Sequence, residues 1–293
     1  MSRRGLLLFI ALGLIWGLPY LLIKVAVDHV SPPVLVFCRV AMGAAILLPI
    51  AFRRGAIAPL RPVLRWVLAF AVVEISVPWV LLTFAETRVS SAFAALMISA
   101  TPLVGAVFAQ AFRLDDRLHG TRLLGLALGV AGVAALVGLD VEVGGVAAVA
   151  ALVVTSAGYA LGPMIVTTKL QGVPSVGVIA VSFLANAVGY APFAVAGWPR
   201  ATVPTDAWLA IAVLGVLCTA VAFLVFFALI AEVGPTRTTV ITYVNPAVAV
   251  LLGIVVLGER LTAGIAVGFP LVLLGSFLAT RRAPAMEDEP VPA

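Results

Sequence analysis

Thr101-Pro102-Leu103, then Asp115-Asp116-Arg117-Leu118, Gly125 and Gly132, form a stretch that returns later as Asn245-Pro246-Ala247, Glu259-Arg260-Leu261, Gly268 and Gly275. From Asp116 and Glu259 onward the two copies keep register, with one residue inserted just before the acidic position. Each copy is an apolar run, a charged turn and a second apolar run. Working outward, apolar segments cover residues 6–27, 32–52, 65–85, 90–112 and 121–139, then 144–167, 175–197, 207–231, 236–258 and 262–280. Only helices and closed barrels satisfy every backbone group in lipid, and continuous apolar runs lack the alternation of a barrel strand. The expected fold is therefore an all-α polytopic membrane protein, ten transmembrane helices arranged as two five-helix repeats over residues 1–140 and 141–280. Five is odd, so the second repeat is inverted relative to the first. Residues 281–293, with Met286-Glu287-Asp288-Glu289-Pro290, read as a disordered cytoplasmic tail.

Composition agrees with that reading. Of 293 residues, 63% are hydrophobic and 11% charged, against nearer half and a quarter in a soluble domain; mean hydropathy is +1.21. A net charge of +5 would suggest nucleic acid in a soluble chain, but here the cations sit between apolar runs and no nucleic-acid partner is expected. With the N-terminus inside, Arg3, Arg4, Arg53, Arg54, Arg61, Arg65, Arg113, Arg117, Arg122, Lys169, Arg237, Arg281 and Arg282 fall on the cytoplasmic side. Only Lys24, Arg88, Arg200 and Arg260 fall on the other side, and Arg39 lies within a span. That bias places both termini in the cytoplasm. The first apolar run continues past Trp16 and Tyr20 to Val27 without a small-residue cleavage pattern, so it reads as an uncleaved helix rather than a signal peptide. Cys38 and Cys218 lie inside apolar runs and read as small hydrophobes, with no disulfide framework, metal site or cofactor motif.

The polar residues inside these spans are the candidates for chemistry. Glu74 lies near the middle of the third span, where a carboxylate costs on the order of 2.5–3.5 kcal/mol. Four residues on, Pro78 lacks the N–H that would bond the Glu74 carbonyl, so a carboxyl group and a freed carbonyl share one level. The pair suits a proton, a cation or a substrate ammonium; a neutral Glu hydrogen-bonded to a neighbouring helix is the other reading. Trp16, Tyr20 and Lys24 recur at four-residue spacing on one helix face, fitting either an aromatic cavity wall or packing, with Lys24 at a rim or snorkelling. Ser156, Tyr159, Pro163 and Thr167 form the matching stripe in the second half. Thr238, Thr242 and Asn245 line one face before Pro246, the counterpart of Pro102, and fit cavity lining beside a helix break or hydrogen bonding between helices. Arg39 pairs with an acid or guards a cavity mouth, and Asn186 is a weaker candidate of the same kind. Glu86, Arg88, Asp140, Glu142, Asp206, Glu232, Arg237, His29 and His119 sit at span ends and read as solvated.

Trp16-Gly17 with Lys24, Arg39 in the second span and the two proline–acidic–glycine–glycine arrangements resemble the drug/metabolite transporter superfamily, specifically its EamA-type ten-helix group. The resemblance covers nearly the whole chain; Asp115-Asp116 departs from it where a single Glu after Gly is typical. It implies a secondary carrier, often an exporter of amino acids, metabolites or drugs, with a cavity between the halves. Inverted repeats also suit alternating access on bottom-up grounds. The expectation is a non-enzymatic carrier in a bacterial inner membrane, monomeric or homodimeric, that takes a small-molecule substrate, works by efflux and couples to protons. A membrane-embedded enzyme is the alternative, but it requires clustered acids or histidines that the spans lack.

Overall fold

The computed structural model describes residues 2–111, 120–140, 145–234, 238 and 240–280. Among the described residues, nine helices are long and apolar enough to cross a membrane: α1 (Arg3–Val27), α2 (Pro32–Arg53), α3 (Ala58–Glu86), α4 (Ser91–Ala111), α5 (Thr121–Asp140), α6 (Val146–Lys169), α7 (Ser175–Ala196), α8 (Thr205–Val233) and α10 (Ala263–Thr280). Between the last two lies α9 (Ile241–Leu257), apolar but only 17 residues long. The sequence starts that helix at 236, and residues 235–237 and 239 lie outside the described residues, as do Asp115, Asp116, His119, Glu142, Arg237 and the tail. Ser2 and Ser90 cap α1 and α4 by accepting from the Gly5 and Phe93 amides, and Pro32 and Pro33 occupy the first turn of α2, where no N–H is needed.

The packing repeats across the halves. α1 packs on α8 and α9, and α6 packs on α3 and α4; α2 meets α7, α4 meets α9 and α5 meets α10. Exchanging the first five helices for the last five maps each of these pairings onto another or onto itself. Between lipid-bathed helices no hydrophobic drive operates, so close packing and polar contacts hold the bundle. The α5–α10 seam shows how close: a Cβ on Gly132 would stand 2.8 Å from the Val272 backbone nitrogen, and methyls on Gly125 or Gly275 would overlap opposing backbone.

Two helices are not regular. α3 runs as a 3-10 turn (Ala58–Val63), an α segment (Leu64–Phe70), a π segment (Ala71–Ser76) and an α segment (Val77–Glu86). α8 has an α segment (Thr205–Gly215), a π segment (Val216–Val221) and an α segment (Ala222–Val233). Each π segment widens one turn in the middle of the span. They occupy the same position in the two halves.

α4 divides into Ser91–Ser99 and Thr101–Ala111, so Pro102 stands at an interruption; Pro78 likewise stands where the π segment gives way to α-helix. Pro163 and Pro246 differ from expectation, lying inside α6 and α9, which run on past them. One missing N–H removes a single bond, and neighbouring helices hold such a turn together in lipid.

Candidate functional site

The π segments bring the deep polar residues together. In α3, the Ala71 carbonyl accepts from Asn186 Nδ2 of α7 at 3.1 Å, and the Ser76 carbonyl accepts from the Tyr190 hydroxyl at 2.8 Å. Glu74 projects from the same turn against α6. A Cβ on Gly162 would overlap its Oε2, and a Cβ on Gly158 would stand 2.6 Å from Pro78 Cγ, so these glycines admit α3 and its carboxyl. Glu74 Oε2 is buried without a hydrogen-bond partner among the described residues.

In α8, the Thr219 hydroxyl donates to the Leu214 carbonyl at 2.8 Å and accepts from Arg39 Nε of α2 at 2.8 Å. Arg39 is 6% exposed. Its guanidinium carbon lies 3.7 Å from the Trp79 ring centroid, a cation–π contact that offsets part of the cost of burying the charge. Arg39 therefore pairs with a hydroxyl and an indole rather than with an acid. Tyr20, Tyr159, Glu86 and Cys218 are its electrostatic neighbours.

A continuous aromatic wall backs this cluster. Trp16 of α1 stacks on Phe226 and Phe223 of α8, at centroid distances of 5.0 and 6.0 Å. Phe223 meets Phe183 of α7 at 5.6 Å, and Phe183 meets Trp79 at 5.7 Å. Trp16 belongs to this wall, whereas Tyr20 of the same helix is buried in the core; α7 and α8 supply phenylalanines that the sequence does not single out, since phenylalanine in an apolar run carries no distinguishing signal. In the second-half stripe, Ser156 is buried and donates to the Met97 carbonyl, and Thr167 is exposed. On α9, Pro246 is buried, Asn245 Oδ1 is buried without a hydrogen-bond partner among the described residues, and Thr242 is exposed; Thr238, just before that helix, is buried and donates to the Gly234 carbonyl.

The end where α3 runs into α4 is gripped from two sides. Lys24 Nζ donates to the Glu86 and Val89 carbonyls at 2.8 and 3.1 Å, placing a cation at a helix C-terminus. Glu259 accepts from the Ser91 and Ala92 amides at 2.7 and 3.0 Å, placing an anion at a helix N-terminus. Asp140 does the same for α10, accepting from the Gly264 amide and the Thr262 hydroxyl. Two span-end acids therefore depart from the solvated reading: Asp140 is a cap, and Glu86 is 0% exposed with neither carboxyl oxygen hydrogen-bonded among the described residues; Glu232 is exposed and pairs with Arg4 at 3.7 Å. Glu86 ends its helix between two such contacts, with Lys24 on its own backbone carbonyl and Glu259 on the first amides of the next helix. Arg88, Asp206 and His29 are exposed as expected. No group of three or more metal-ligating side chains occurs among the described residues.

Similar proteins narrow the reading. The chain is 28% identical over 291 residues to the inner membrane transporter YedA of Escherichia coli strain K12, itself described as uncharacterized, covering 95% of this chain and 94% of that one. The YedA proteins of strains O6:H1 and O157:H7 match to the same extent. A crystal structure of another protein superposes with a TM-score of 0.67 at 22% identity, covering 96% of this chain and 97% of that one, which supports the fold alone. The EamA-like transporter family matches the chain twice, over residues 3–138 and 146–281. With its paired halves, helical membrane fold and both repeats matched, the chain belongs to the EamA-like transporter family.

Proposed function

We propose that this transporter is a secondary carrier for a small metabolite, amino acid or drug, working by alternating access between residues 1–140 and 141–280. The observation that carries the reading is the paired π segments, each gripped by the second helix of the opposite half: Arg39 on Thr219 and Asn186 on Ala71. Such a cross-braced pair suits two halves that rock about a shared axis. The pathway runs past Trp16, Tyr20, Glu74, Tyr159, Thr238, Thr242 and Asn245, with Lys24 and Arg39 as gating residues. The charge bias of the loops supports an inner-membrane protein with both termini cytoplasmic, and efflux is the direction proposed. Function as a monomer or a homodimer is compatible with this cycle.

Glu74 is the proposed coupling residue, because a carboxyl without a donor at mid-span is where a proton or a cationic substrate group would be exchanged. The test is counterflow in proteoliposomes, screened over amino acids, other metabolites and cationic drugs, followed by flux under an imposed pH gradient. Glu74→Gln should keep counterflow and lose the response to the gradient. Unchanged gradient-driven flux in that variant would overturn the coupling role, and no flux of any screened compound in the wild type would count against transport of those classes.

A further inference from the structure

At the opposite end of the bundle from Glu86, where α3 begins and α6 ends, two cations from the two halves converge on one indole. Arg65 Cζ lies 5.4 Å and Lys169 Nζ 5.2 Å from the Trp66 ring centroid. Arg61 precedes Arg65 by four residues, and all three basic side chains are exposed. No carboxylate among the described residues pairs with any of them; the ion pair found there joins Arg4 to Glu232. Positive charge is therefore gathered without a counter-ion among the described residues.

The floor beneath it is buried core. Trp66 packs against the core that contains Leu60, Val67 and Leu170, which are 2%, 0% and 3% exposed. A tryptophan flanked by basic residues at the end of a span is the arrangement of a headgroup-level anchor. From this point an apolar stripe runs along α3 into the membrane: Leu64, Leu68 and Val72, one turn apart, are 44%, 43% and 52% exposed. Charge at the interface and a bare apolar track leading away from it match the two parts of a phospholipid.

We infer that Arg65, Lys169 and Trp66, with Arg61 beside them, form a binding site for the phosphate of an anionic phospholipid whose acyl chain lies along Leu64, Leu68 and Val72. A free phosphate compound shares the headgroup chemistry but gains nothing from the apolar stripe. The site joins α3 of one half to α6 of the other, so an occupying lipid bridges the halves outside the central cluster. It depends only on the chain lying in a bilayer.

Native mass spectrometry of the full-length protein, released from neutral detergent containing equal amounts of dioleoylphosphatidylglycerol and dioleoylphosphatidylcholine, tests this. The wild type should retain phosphatidylglycerol in preference to phosphatidylcholine, and Arg65→Gln with Lys169→Gln should lower that retention about tenfold or more. Arg65→Lys with Lys169→Arg keeps both charges and should keep the lipid, which separates loss of the site from misfolding. Arg54→Gln, a basic change away from the indole, should leave retention unchanged. Equal retention of the two lipids, or full retention in the double glutamine variant, would overturn the site. Glycerol 3-phosphate bound as tightly as the lipid would overturn the role of the apolar stripe and leave a free-anion site instead.

Discussion

The π segments of α3 and α8 occupy equivalent places, yet they have been put to different uses. The fourth residue of each is polar: Glu74 in Ala71–Ser76 and Thr219 in Val216–Val221. Thr219 is spent, donating to Leu214 and accepting from Arg39. Glu74 has a carboxyl oxygen with no partner, although the carbonyls around it are taken by Asn186 and Tyr190. The bracing side chains differ too, a charged Arg39 at the eighth position of α2 and a neutral Asn186 at the twelfth of α7. One half uses its widened turn to hold a cation in place, and the other uses it to leave an acid unspent. Where a repeat duplicates a structural device, the copy with the unsatisfied group is the better place to look for chemistry.

Substitutions that break this asymmetry rank by what they strand. The largest effect should come from Thr219→Val, which leaves the buried Arg39 Nε without an acceptor; a loss of about 1–3 kcal/mol should appear in denaturant titration of the purified protein, with little transport remaining. Gly162→Ala should follow closely, because its methyl would overlap the Glu74 carboxyl and overpacking costs about 1–3 kcal/mol. Pairing it with Glu74→Ala should restore most of that loss in a double-mutant cycle, and a purely additive double variant would refute the contact. Asn186→Leu, which withdraws one neutral donor from Ala71, should cost about 1 kcal/mol in the same titration and slow transport without abolishing it. Exposed Arg88→Gln should stay within about 0.5 kcal/mol of the wild type in thermal unfolding and serves as the baseline for the others.

Most of the architecture could be read from the chain, because span length, charge bias and a repeated motif are all recorded in residue order. Glu74 and Arg39 were legible for the same reason: ionisable residues stand out in an apolar run. The π segments were not, since they arise from a shift in backbone hydrogen bonding that no residue type announces. The burial of Glu86 is hidden because being last in an apolar run resembles being at a rim, and the chain-distant contacts of Lys24 and Glu259 around it leave no trace in residue order. The partners of Arg39 were hidden likewise: Trp79 and Thr219 sit on different helices, 40 and 180 positions along the chain from it.

The seam between α5 and α10 has a mechanical meaning as well. Side chains normally form the ridges that lock one helix into the grooves of another. Along Gly125, Gly132, Gly268 and Gly275 backbone comes within reach of backbone, and only the Leu136, Leu271, Val272 and Leu278 side chains interleave there. Such a surface is close enough to keep the two helices from separating, and any change in their angle has to be taken up by those four side chains. Gly132→Ala would set a methyl 2.8 Å from the Val272 backbone nitrogen, so the variant should lose about 1–3 kcal/mol in denaturant titration.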